Sequence, residues 1–146
     1  MDPLHPADWL TYDTAVRELA ARVDKVHVSH DLSGFNGDPR FVQNGQPQKL
    51  FSKLRSAIGG LYSWRSANAT SPVEKERMLK EADFAFREAF ALCPGSPEAV
   101  FRYTTLLATQ SRFEDAILIV ETALKVDPEN VALPNLLEQL RKMKEK

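Results

Sequence analysis

The chain has 146 residues, of which 43% are apolar and 27% charged, with a formal net charge of −1. That suffices for one domain with its own core and not for two, and the balanced charge excludes any general attraction to nucleic acid or anionic lipid. A single cysteine, Cys93, excludes an intrachain disulfide, and no apolar run approaches the ~20 residues of a membrane span, so no direct membrane insertion by this segment is expected.

In chain order, the first residues, Met1-Asp2-Pro3-Leu4-His5-Pro6, lack the basic-then-apolar layout of a signal peptide. Asp13 or Thr14 is placed to cap a helix whose stripe is Val16, Leu19, Ala20, Val23 and Val26. Residues 30–47 carry Gly34, Asn36-Gly37, Asp38-Pro39, Asn44-Gly45 and Pro47, all turn signals. Leu32, Phe35, Phe41 and Val42 give this stretch apolar anchors that a disordered linker would lack, which predicts a long ordered loop.

Residues 48–67 read as a helix with Leu50, Leu54, Ile58, Leu61 and Tyr62 on one face. Its Gly59-Gly60 pair costs about 1 kcal/mol per glycine relative to alanine, which predicts close approach of another backbone. Ser71-Pro72-Val73-Glu74 is a capping-box start for a helix running to about Leu92, with Pro94-Gly95 ending it. Ser96 caps the next helix, which carries Val100, Tyr103, Thr104, Leu107 and Ala108. After the turn at Ser111-Arg112 comes a helix with Phe113, Ala116, Ile117, Val120, Ala123 and Leu124. The final helix, about 131–144, has Leu133, Leu136, Leu137 and Leu140 on one side and cations at its C-terminal end, where the helix dipole favours them.

An echo runs through the second half. Ala82, Phe86, Ala89 and Pro94 recur 34 positions later as Ala116, Val120, Ala123 and Pro128, and Leu79/Phe113, Phe84/Leu118, Phe90/Leu124 and Leu92/Val126 keep their apolar character. A fixed period of this length is the signature of stacked helical hairpins. The pattern resembles the tetratricopeptide repeat family, which places small residues at helix crossings, apolar residues between them and a proline after the second helix. One unit fits residues 97–130. An earlier one fits through Ile58, Gly59, Tyr62, Ala82, Phe86, Ala89 and Pro94, with an 11-residue insertion expected to lengthen the hairpin through residues 68–76. Thr104, where the family prefers glycine or alanine, and Arg55, where it prefers a bulky apolar residue, depart from the pattern.

The resemblance implies an all-α fold: an N-terminal helix and ordered loop (1–48), two stacked hairpins (49–95 and 96–130) forming a fragment of a right-handed superhelix, and a capping helix (131–146). It implies a scaffold that binds a protein or peptide in a concave groove, with no cofactor, no catalysis and no nucleic acid. A second resemblance covers most of the chain. The stretch Gly34-Phe35-Asn36-Gly37-Asp38-Pro39-Arg40-Phe41, the tetrad Lys53-Leu54-Arg55-Ser56 and residues 77–86 look like the soluble C-terminal tail of bacterial multi-pass membrane proteins similar to lipid-linked-sugar glycosyltransferases. On that reading the chain is a domain of a larger protein whose chemistry lies elsewhere.

The groove of such a repeat is lined by the first helix of each hairpin. Here that places Ser56, Gly60, Ser63 and Trp64 beside Phe101, Arg102, Thr105 and Thr109, with Ser63, Trp64, Phe101, Arg102, Thr105 and Thr109 as the partner-binding candidates. Ser56 and Gly60 cannot supply the family's basic clamp for peptide carboxylates. The alternative is that Trp64 and Phe101 are core residues covered by the N-terminal helix, since two hairpins leave an open end. The rival function is enzymatic or metal-binding. It rests on His27, His30 and Asp31, two imidazoles and a carboxylate that could hold zinc with an open position, although the spacing is not H-E-x-x-H. Bracing of the helix end is the competing reading of the same residues. Cys93, between apolar turns, reads as a buried inert thiol.

Overall fold

The computed structural model describes residues 10–35 and 38–146; the N-terminal residues read for a leader and the Asn36-Gly37 turn lie outside them. Among the described residues the regular elements are all helical: α1 (Val16–Val23), α2 (Pro39–Gln43), α3 (Gly45–Ala67), α4 (Pro72–Leu92), α5 (Pro97–Thr109), α6 (Phe113–Val126) and α7 (Ala132–Glu145). α1 runs directly into a π-helical turn, Asp24–Val28, closed by a bond from Ser29 N–H to the Asp24 carbonyl.

The helix starts follow local chemistry. Ser71 Oγ accepts from Glu74 N–H at 3.2 Å and Ser96 Oγ from Ala99 N–H at 3.2 Å, each followed by a proline at the first helical position. The Glu74 carboxylate does not close the box; it meets the Thr70 hydroxyl instead. Two of the predicted loop turns are in fact caps: Asp38 caps α2, and Asn44 caps α3, whose first residue is Gly45. At α1 the cap position is Ala15, with no side-chain cap hydrogen bond, so neither Asp13 nor Thr14 plays that part.

α3 and α4 form the longest pair. The 11 extra residues lengthen this hairpin, as expected, and the turn falls in the gap between the two helices read from the sequence. They extend both helices, to 23 and 21 residues, and leave only residues 68–71 as the turn. At 1.5 Å per residue α3 is about 34 Å long. α5 and α6 form a shorter pair, and α7 packs along α6. The echoed residues are all buried: Ala82, Phe86, Ala116, Val120 and Ala123 lie in one core with Tyr103, Leu107 and Ile119, and Ala89 is fully buried as well. Pro94 is buried whereas Pro128 is exposed.

The N-terminal helix does not cover the open end. α1 lies against α6 and touches α4, while Lys125 Nζ reaches Asp24 Oδ2 at 2.9 Å across the π turn. Its predicted stripe, Val16 to Val26, is buried there. The segment before it is fastened to α4: Leu10 is buried, and the Tyr12 ring stacks on Phe84 with centroids 4.4 Å apart. Arg87 of α4, itself buried, donates to the Thr14 carbonyl, to Tyr103 Oη at 3.1 Å and to Asp83 Oδ2 at 3.0 Å. Burial, and then the Asp83 charge, push the Tyr103 hydroxyl pKa well above its usual value, so it stays protonated.

α3 inverts the expected burial. Its core-facing residues are Gln48, Ser52, Ser56, Gly59 and Ser66, and Ser52 Oγ donates to the Ala89 carbonyl at 2.8 Å. The apolar stripe faces outward, with Leu50, Leu54, Ile58 and Leu61 all exposed. The reason is distance. With glycine and serines at the crossing, α4 comes close enough for its own Phe86 ring to fill space at Gly59 that an α3 side chain would otherwise occupy.

Candidate functional site

A recess of about 240 Å³ opens between α3 and α5, lined by Gly60, Ser63, Phe86, Phe101, Arg102, Thr105, Leu106 and Thr109. Five of the six candidate residues are brought together there. The sixth, Trp64, stands beside Ser63 and is 64% exposed, outside the lining. Phe101 is 60% exposed, so neither aromatic lies in the core or under the N-terminal helix. Ser56, expected on the groove, is buried against α4.

The glycine pair creates the recess. A Cβ on Gly59 would lie 2.6 Å from the Phe86 ring, so the close approach is to an aromatic side chain rather than to a backbone. A Cβ on Gly60 would meet only the end of Arg102, 2.8 Å away. With neither side chain present, the Phe86 ring, 3% exposed, reaches the floor. Phe86 and Leu106 are the lining residues that reading the sequence missed, because both occupy helix positions that look like pure core. The signal available was the glycine pair itself, which had to be spared a Cβ for some neighbour.

The walls are less polar than their composition. Thr105 Oγ1 donates to the Phe101 carbonyl at 2.8 Å and Thr109 Oγ1 to the Leu106 carbonyl at 2.6 Å, so these hydroxyls are satisfied within their own helix. Arg102 supplies the charge. Its guanidinium lies 3.2 Å from Glu98 and within 3.4 Å of the Ser56 carbonyl, which holds it across the mouth. The volume falls below the ~300–1,000 Å³ of typical small-molecule clefts and suits a single large side chain. No protein-family model, curated protein or solved structure matches the chain.

The rival site does not assemble. Among the described residues no three His, Cys, Asp or Glu side chains come together as a metal-ligand group, so His27, His30 and Asp31 are not brought into one. Burial holds the His27 pKa below its ordinary 6.5, with a hydrogen bond at the Ala91 backbone acting the other way and the nearby His30 adding to the depression. His30 adopts a left-handed φ of 55°, and Asp31 Oδ1 accepts from Ser33 N–H at 3.0 Å, a turn that ends the π-helical segment. Asp31 is fully exposed, and its pKa is lowered by its bonds to Ser33. Cys93 is buried, which pushes its thiol pKa up and away from the reactive thiolate.

Proposed function

We propose that this chain is a non-catalytic protein-interaction domain of tetratricopeptide type, in which the recess between α3 and α5 takes a side chain of a docked peptide or helix. The observation that carries this reading is the pairing of a side-chain-sized recess floored by Phe86 with two aromatics, Trp64 and Phe101, left largely in solvent at its rim. Exposed aromatics beside a concave apolar pocket are where binding energy concentrates in protein interfaces. Arg102, bridged by Glu98, gives the site one directional group without the cationic surplus that a terminal carboxylate needs. The order of paired helices α3/α4 and α5/α6, with α7 packed on α6, supports the repeat arrangement.

The test is a pull-down from native lysate with the wild-type chain, Phe101→Ala and Trp64→Ala. Both replacements remove exposed rings, so circular dichroism should be unchanged while the captured partner is lost. An identical set of captured proteins from all three would overturn the reading.

A further inference from the structure

The outward face of α3 is separate from the recess and is unexplained by it. Leu50, Leu54, Ile58 and Leu61, 60%, 53%, 39% and 56% exposed, form a continuous stripe pointing away from α4. Four large aliphatic side chains left in water make a patch on the order of a few hundred Å², the size that on single chains marks an interaction surface.

The chain itself shows what such a stripe is shaped for. α3 and α5 correspond at an offset of forty-five positions, which superposes Gly59 on Thr104 and Tyr62 on Leu107. At that offset Leu54, Ile58 and Leu61 stand where α5 has Ala99, Tyr103 and Leu106, which are 0%, 0% and 3% exposed. In α5 this face is closed by the helix before it: Tyr103 lies against Phe86 and Arg87 of α4. Among the described residues no such helix precedes α3 on this face. α2 touches only its beginning, through Phe41 on Phe51 and the Gln48 amide on the Phe41 and Val42 carbonyls.

Charge selects the occupant. α3 carries Lys49, Lys53, Arg55 and Arg65 and no carboxylate, and among the described residues only Arg55 of these is ion-paired, with Glu88 of α4. Pairing α3 with α3 of a second copy would set these cations against one another in either direction, because the helix offers no acid to meet them. We infer that the Leu50–Leu54–Ile58–Leu61 face is a docking site for an amphipathic helix from outside this chain that carries carboxylates along its apolar stripe. The occupant is helical because the matching face of α5 is closed by a helix, and acidic because Lys49 and Lys53 flank the stripe on the side toward the recess.

The experiment is selection of a displayed random library of peptides about 20 residues long, enough for a stable amphipathic helix, on the full chain. The selected peptides are then measured against Leu54→Gln/Leu61→Gln, Lys49→Glu/Lys53→Glu and Phe101→Ala. Both α3 pairs are exposed, so circular dichroism should match the wild type. The expected winners have apolar residues at steps of three and four flanked by Asp or Glu, and lose affinity at least about tenfold in Leu54→Gln/Leu61→Gln. They weaken with rising salt, lose their preference for acidic flanks in the charge reversal, and are indifferent to Phe101→Ala, which separates this site from the recess. The inference is overturned if no winner depends on Leu54 and Leu61, or if the dependent ones are basic or uncharged. It is overturned equally if phosphatidylserine vesicles bind through these residues while no peptide does, or if light scattering shows the chain dimerising through them.

Discussion

Gly59 and Gly60 are neighbours on one helix with opposite reasons for being glycine. A methyl at Gly59 would press 2.6 Å from two carbons of the Phe86 ring, which is buried and cannot yield. Overpacking of this kind costs about 1–3 kcal/mol, more than the ~1 kcal/mol that alanine adds to helix propensity. Gly59→Ala should therefore lower the thermal midpoint. A methyl at Gly60 displaces only the exposed end of Arg102, so Gly60→Ala should raise the midpoint, and differential scanning calorimetry of the two variants distinguishes them. His27 contributes a pH dependence of definite sign. Its folded-state pKa is depressed by burial, so the unfolded chain takes up the proton first as pH falls below 6.5. Stability present above that pH should decline on acidification, and His27→Gln should remove this component from a urea-midpoint titration across the same window. Unchanged curves would contradict the burial of the imidazole.

At the scale of the element, α3 shows that periodicity locates a stripe without saying which side of it is dry. Leu54 is on the apolar face and exposed, while Ser52 is on the polar face and 1% exposed. Leu54→Gln in the isolated chain should change unfolding free energy by no more than about 0.5 kcal/mol, the usual range for surface positions. Ser52→Leu should cost about 1–3 kcal/mol by overpacking against α4, and it also removes the bond to the Ala89 carbonyl. Guanidinium denaturation measures both, and the reverse order would mean that α3 is turned the other way. The same element explains the insertion. Residues 68–71 hold the turn chemistry and residues 72–76 form the first turn of α4, so the extra length of the hairpin is carried by its helices.

For the whole molecule, the decisive tie is Arg87. One buried guanidinium joins the segment before α1, α4 and α5, and Arg112, just before α6, approaches Asp83 at 3.8 Å. Arg87→Met should destabilise by about 3–5 kcal/mol, because it leaves the Asp83 carboxylate buried without its closest counter-charge. Arg87→Met/Asp83→Leu should recover most of that loss, and a double-mutant cycle by chemical denaturation reads the coupling directly. The tie also explains why the N-terminal helix lies over α6 and not over the stripe on α3. Its lead-in is held to α4 by Arg87 and the Tyr12–Phe84 stack, and Lys125 anchors its far end.

Local chemistry written in the chain determined the helices after residue 70 nearly to the residue, because Ser-Pro starts, Pro-Gly stops and 3.6-residue periodicity act within a turn or two. The resemblance to helical-hairpin repeats, carried by the 34-residue echo, also pointed to five residues that line the recess. What it could not determine was burial, since that depends on which surfaces meet. Leu50, Leu54, Ile58 and Leu61 look like core until α4 closes on the face that carries the serines and Gly59 instead. The same closure brought Phe86 to the floor of the recess and set α1 against α6, outcomes decided by contacts between residues far apart in the chain.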